Sequence, residues 1–338
     1  MGHDKLRKFA ENKTFNCLLQ ADSKEILSGG FFDLKDHPIK GNWAREMFGR
    51  ESAEIVLELG CGKGEYTLDL ARRYPDKCFI GVDIKGARLW KGAKTATLEK
   101  MANVAFLRTR IEFITAFFAP GEISEIWLTF SDPQMKSENS RLTSPLFLER
   151  YRTFLKPGGM VHLKTDSRFL HEYTRAVIRA NSLPLYACTL DLYAEASGCG
   201  REIGEVVNVG SGKGLGDAGD AGIAGAAGEV VKAGTAGYGS EVVEAAGSGS
   251  GVVDAIEAEG SGSEVAKVAE GIGIDNKELD PVVYEVQTFY EKMFLEMGLP
   301  ITYLEFGIDH EGEYRHPEDF DEKYWRESEG PRRSFGHQ

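Results

Sequence analysis

The chain has 338 residues, a formal net charge of −13 and 42% apolar residues, enough for one large domain or two small ones with an ordinary core. No run of about 18 apolar residues occurs, so no transmembrane helix is expected. The five cysteines, Cys17, Cys61, Cys78, Cys188 and Cys199, lack CxxC spacing, which argues against a zinc site or a disulfide framework and suits a reducing cytoplasm. The negative charge argues against a nucleic-acid partner only until its distribution is read. Between Glu195 and Glu278 lie 15 acidic and 5 basic residues, a net of −10 that leaves −3 for the rest.

In chain order, residues 1–50 read as an N-terminal arm and helix, charged and without the apolar stretch of a signal peptide. Glu54 to Leu59 is a short apolar strand that runs into Gly60-Cys61-Gly62-Lys63-Gly64. A helix follows with Thr67, Leu70, Ala71 and Tyr74 on one face and Pro75 beyond its end. Further strands are predicted at Cys78–Asp83, Val104–Leu107, Glu125–Phe130 and Met160–Lys164, with helices at Arg88–Ala102 and Pro145–Phe154. Alternation of this kind predicts an α/β fold, a parallel sheet covered on both faces. Residues 195–279 break the pattern. They hold 21 of the 40 glycines, one aromatic residue and no proline, too little apolar surface to offset the entropy of ordering. They read as an acidic Gly/Ala-rich low-complexity insertion, expected to be disordered. Its GSGKGLG stretch lacks the preceding strand and the spacing of a phosphate-binding loop. After it, Tyr284–Met297 has helical spacing with Gly298 as stop signal, Ile301–Ile308 is a last strand, and 309–338 is a charged tail expected to be loosely ordered. The regular fold therefore occupies 51–194 and 280–308.

A strand, a glycine-rich turn and a helix bring a ligand to a helix N-terminus. The spacing GxGxG differs from the dinucleotide GxGxxG. Glu58 stands just before the turn. Asp83 ends the next strand, where a carboxylate accepts hydrogen bonds from ribose hydroxyls. Two carboxylates beside the pocket disfavour a pyrophosphate and suit a cation such as S-adenosyl-L-methionine. The other notable stretch is Ser131-Asp132-Pro133, which ends an apolar strand on an acidic residue fixed by a proline.

LELGCGKGEYTLDLA with FIGVDIKGARLWKGAK resembles the class I S-adenosylmethionine-dependent methyltransferases. FSDPQMK, then LKPGGMVHLKTD, then TFYE narrow the likeness to the bacterial tRNA (guanine-N7-)-methyltransferases, over about residues 4–193 and 282–308. The resemblance implies a Rossmann-like, mostly parallel seven-stranded sheet and a cytoplasmic monomer or homodimer without metal. It also implies methyl transfer from S-adenosyl-L-methionine to N7 of guanosine 46 in the tRNA variable loop. Residue by residue, it implies cofactor binding by Glu58, Gly60, Gly62, Asp83 and Asp132, catalysis by Asp132, and substrate binding by Lys136, Asp166, Thr288, Phe289, Tyr290 and Glu291. At the family's acidic adenine-side position this chain has Arg110, with Glu112 nearby as a replacement. The loop after Asp132 carries only Lys136 and Arg141 as cations and is expected to meet RNA. The rival readings are a class I methyltransferase for another substrate and a non-catalytic RNA-binding relative.

The chemistry fits the pattern. Guanine N7 carries no proton and has an in-plane lone pair, so placement matters more than a strong base. The methylated base is cationic, and a carboxylate at Asp132 balances that charge.

Overall fold

The computed structural model describes residues 2–30, 33–196 and 279–329, all within one compact unit. The insertion expected at 195–279 lies outside the described residues except at its edges, and its GSGKGLG stretch lies wholly outside.

In chain order the helices are α1 (Gly2–Asn12), α2 (Ser23–Ile26), α3 (Trp43–Phe48), α4 (Glu65–Arg73), α5 (Gly86–Leu98), α6 (Pro145–Arg152), α7 (Arg168–Ala180), α8 (Leu192–Ala196), α9 (Val282–Glu285), α10 (Phe289–Glu296) and α11 (Glu322–Glu329). The strands are β1 (Leu18–Gln20), β2 (Leu27–Gly30), β3 (Asp33–Leu34), β4 (Ile55–Leu59), β5 (Cys78–Asp83), β6 (Val104–Arg108), β7 (Ile123–Thr129), β8 (Leu155–Thr165), β9 (Leu185–Thr189) and β10 (Thr302–Gly307). The main sheet runs β1-β6-β5-β4-β7-β8-β10-β9. Its pairs are parallel from β1 to β8, and β10 is antiparallel to both β8 and β9. The fold is therefore the α/β Rossmann-like arrangement that the alternation predicts.

Strand side chains alternate between faces, and two buried clusters follow. Ile55, Leu57 and Leu59 pack with Ile80, Val82, Leu128 and Leu163 against Tyr151 of α6 and Tyr173 of α7. Val56, Phe79, Phe106 and Trp127 pack on the other face against Leu70 and Ala71 of α4 and Leu89 and Ala93 of α5. Glu58 shares the face of Val56, which aims its carboxyl at α4.

Several expectations need correcting. The sheet has eight strands among the described residues, because β1, in the segment read as an arm, joins β6 at residues 18–20. β9, too short to stand out by pattern, forms the other edge. The helix expected over Tyr284–Met297 is broken at Val286–Thr288. The Thr288 hydroxyl accepts from the Glu291 amide at 3.1 Å, so Thr288 caps a new helix instead of continuing the old one. The tail is not loose over 309–329. Tyr314 is buried, the Arg315 amide donates to Asn181 at 2.7 Å, and the Phe320 ring packs edge-on against Phe169 and Tyr173 at 5.4 Å each.

Candidate active site

The glycine turn links β4 to α4 with positive φ at Gly60 (81°), Gly62 (59°) and Gly64 (73°), a backbone region that favours glycine. At Gly64 a Cβ would also strike the Phe106 ring at 2.5 Å, so the turn closes tightly on the sheet. At Gly60 and Gly62 an added Cβ would meet no atom within 4 Å. The outer side of the turn thus faces open space, as a ligand cradle requires.

Asp83, at the end of β5, organises this turn. Its Oδ2 accepts from the Gly62 amide at 3.0 Å and its Oδ1 from the Lys85 amide at 2.6 Å. Each carboxylate oxygen keeps a second lone pair for a ligand hydroxyl. Beside it, a cavity of about 710 Å³ is lined by Ile84, Arg108, Thr109 and Arg110 and by Phe9 and Lys13. Arg110 and Glu112 form an exposed ion pair at 3.4 Å here, so the two candidates for the adenine side stand together.

Glu58 sits beneath the turn. Its Oε2 accepts from the Thr67 amide at 2.9 Å and also from the Thr67 hydroxyl, and its Oε1 accepts from the Thr129 hydroxyl at 2.6 Å. Burial pushes its carboxyl above the usual range despite these bonds. The residue braces β4, α4 and β7 from within. Thr67 was read only as part of a helix face and Thr129 not at all, because a threonine in an apolar element carries no signal until its partner is known.

The strand-end aspartates come next. β7 stops at Phe130 with φ 50°, and Gln134 has φ 48°. Two non-glycine residues in this region bracket Ser131-Asp132-Pro133, which marks a held, locally costly turn. Asp132 is exposed, and its Oδ1 accepts from the Gln134 amide at 2.9 Å. Pro133 is buried and Lys136 exposed. Asp166 is half-buried just past the end of β8, the parallel neighbour of β7. It does not cap α7. That role belongs to Ser167, which accepts from the Leu170 amide at 3.1 Å. Arg141, expected to meet RNA, is instead buried between the rings of Phe169 and Tyr173 and ion-paired with Glu322.

The TFYE stretch divides in two. Thr288 and Glu291 form a capping box, the Thr288 amide donating back to Glu291 Oε2 at 3.3 Å. Glu291 is fully buried and pairs with the equally buried Lys164 at 2.6 Å. Burial pushes Glu291 up and Lys164 down, each opposed by the other's charge. Lys164 Nζ also donates to the carbonyls of Val283 at 2.6 Å and Val286 at 3.1 Å, and the Tyr193 hydroxyl donates to Glu291. This knot fixes α9 and α10 to β8. Lys164 was legible only as a lysine ending an apolar strand. Phe289 and Tyr290, by contrast, are 57% and 43% exposed. The Phe289 amide donates to Glu65 at 3.2 Å, and Lys63 lies 5.3 Å from its ring. The knot therefore presents two open aromatic faces beside the glycine turn.

The structure brings Gly60, Gly62, Asp83 and Phe289 together at the turn. It puts Asp132 and Asp166 at the ends of neighbouring strands, Glu58 beneath and Glu291 inside. Another cavity, of about 610 Å³, opens under residues 279–283 with Glu125, His162 and Glu305 in its wall, and holds none of the predicted site residues. Among the described residues no cluster of three or more His, Cys, Asp or Glu is arranged to hold a metal, and no helix is long and apolar enough to cross a membrane.

The chain is similar to known proteins. A family model described as "Putative methyltransferase" matches residues 52–192. A tRNA (guanine-N(7)-)-methyltransferase of Bacteroides thetaiotaomicron is 53% identical over 193 residues, 57% of this chain and 74% of the relative. The enzyme of the same description from Christiangramia forsetii is 50% identical over 56% of this chain and 83% of the relative, and that from Cytophaga hutchinsonii 36% identical over 57% and 84%. Among solved structures, the 16S rRNA methyltransferase KamB is 14% identical over 50% of this chain and 85% of that one, with a TM-score of 0.37.

Proposed function

The chain belongs to the tRNA (guanine-N(7)-)-methyltransferase family, and from that premise we propose that it moves a methyl group from S-adenosyl-L-methionine to N7 of guanosine 46 in the tRNA variable loop. The observation that carries the reading is the meeting of the open glycine turn, Asp83, Asp132 and Asp166 at the C-terminal ends of adjacent parallel strands. Open α/β sheets bind ligands in the crevice at those ends.

In this reading, Gly60 and Gly62 let the cofactor approach the backbone and Asp83 takes its ribose hydroxyls. Glu58 sets the turn from below. When bound, S-adenosyl-L-methionine supplies the electrophilic methyl. Asp132 accepts N–H hydrogen bonds from guanine, sets its plane, and balances the positive charge that develops on the ring. Asp166 faces the same crevice from the next strand. Phe289 and Tyr290 offer faces on which an extruded base stacks, a contact worth about 1–3 kcal/mol per base. Lys136 takes a backbone phosphate. Glu291 and Thr288 contribute by shaping α10. A reducing cytoplasm, where tRNA is found, suits the cysteines at 17, 61, 78 and 188, which form no disulfide.

The test is direct. The protein is incubated with methyl-labelled S-adenosylmethionine and unmodified tRNA transcript, and the tRNA is digested. Labelled 7-methylguanosine mapping to position 46 is expected. A folded protein that binds cofactor and tRNA yet yields no such nucleoside would overturn the reading.

A further inference from the structure

The chain past Ile308 lies outside the resemblance described above, yet side chains from it reach the Asp132 loop at three points. Glu322 pairs with the guanidinium of Arg141, which is 1% exposed and lies 4.4 Å from the Tyr173 ring centre and 4.8 Å from that of Phe169. Arg326 donates to the Met135 carbonyl at 2.7 Å. His316 Nδ1 stands 2.9 Å from Glu138 Oε1, which also accepts from the Tyr173 hydroxyl at 3.0 Å. A fourth contact lies just past Asp166. There Glu329 accepts from the Ser167 hydroxyl at 2.7 Å and the Phe169 amide at 2.5 Å.

The loop needs such help. Between Gln134 and Arg141 its regular structure is one short 3₁₀ turn, Glu138–Ser140, with no buried residue. Holding such a backbone still costs conformational entropy at every residue. A reacting group must be held closely to its working geometry by neighbours that are themselves held. Three contacts spread over Met135, Glu138 and Arg141 meet that requirement from one direction. Arg141, one of the loop's two cations, is thus an anchor and not an RNA contact.

We propose that residues 309–329 are a splint for the Asp132 loop, with Arg141, Glu322 and Arg326 as positioning residues that hold Asp132 for the guanine. The proposal rests on the functional reading above. The simpler role, in which α11 only covers the apolar side of α7 through Phe320, makes different predictions.

The test uses the full chain carrying Glu322→Gln and Arg326→Met together, with Arg326→Met alone as the milder variant that keeps the Arg141 pair. Cofactor affinity is expected to stay within about twofold, while amide exchange across 134–141 accelerates about tenfold and kcat on tRNA falls about tenfold. Arg326→Lys is expected to restore part of both, because it keeps the positive charge beside Glu322, with which Arg326 also pairs at 3.3 Å. Unchanged loop exchange in both variants overturns the proposal. So does faster exchange with kcat within twofold of wild type, and so does a parallel loss of cofactor affinity and kcat, which assigns the contacts to the fold as a whole. No 7-methylguanosine from the wild type, with loop exchange still responding, overturns the functional reading and with it the placing of Asp132 for guanine, but not the bracing of the loop.

Discussion

Asp132 is exposed, but its backbone is not at liberty, since Phe130 and Gln134 flank it in the left-handed region. Asp132→Asn keeps the size and one acceptor and removes the charge. It is expected to lower the single-turnover rate about 10²–10³-fold, as loss of one electrostatic stabiliser does, with cofactor affinity within about twofold. Equal turnover would remove the charge from the mechanism. This residue was legible, because an acid between an apolar strand and a proline stands out. Glu58 and Arg141 were legible as residues and not as roles, since burial is decided by elements distant in sequence. His171 is a third residue whose effect is hidden in the pattern. Burial, and then the nearby Arg175 and Arg168, push its imidazole well below 6.5. Below that pH the unfolded chain takes up a proton that the native state refuses. Stability is therefore full above about pH 6.5 and falls as pH drops, by up to about 1.4 kcal/mol per unit. The difference in urea stability between wild type and His171→Gln is expected to show this slope from pH 7 to 5, since the buried carboxyls of Glu58 and Glu291, pushed up by burial, act in the opposite sense in both proteins.

At the scale of elements, α10 shows how a correct pattern can be assigned to the wrong surface. Thr-x-x-Glu spacing marks a helix start, and the start is where the spacing puts it. What lies under it is not readable, because Lys164 belongs to a strand on the far side of the insertion in sequence. Removing one member of a buried ion pair leaves the other charge stranded, at a cost of about 3–5 kcal/mol. Lys164→Met is expected to lose about that much, and Lys164→Met with Glu291→Leu to regain most of it, both read by urea unfolding. In the double variant the capping box is gone too, so recovery to within about 1 kcal/mol of wild type is the outcome expected. The strands β4 to β8 were readable in their apolar cores, although β8 begins at Leu155, five residues before the expected start, because the polar Lys156–Gly159 stretch hides its first half. The edges β1 and β9 were not, since a short strand takes its identity from the partner that receives it.

For the whole molecule, charge placement is the dominant sequence-level fact. With −10 of the −13 net charge in 195–278, the rest of the chain carries only −3. Replacing 197–278 by a short Gly/Ser linker is expected to tighten tRNA binding at low salt. The gain shrinks as salt rises through the 0.1 M range, where charges about 10 Å apart are screened. Fold stability should change by no more than about 2 kcal/mol, because closure entropy grows only with the logarithm of length. Equal affinity for both forms at low salt would dismiss the electrostatic effect. The sheet order carries a further consequence. β10 lies between β8 and β9, although it follows both in the chain. A nascent chain that has emerged through Thr189 still lacks the strand that joins its edge to the rest, and waits for about a hundred more residues. At 5–20 residues per second that is roughly 5–20 s in which β8 is left without its second partner. β9 joins the sheet only through β10, so truncation before Thr302 removes two strands' worth of sheet and not merely one end.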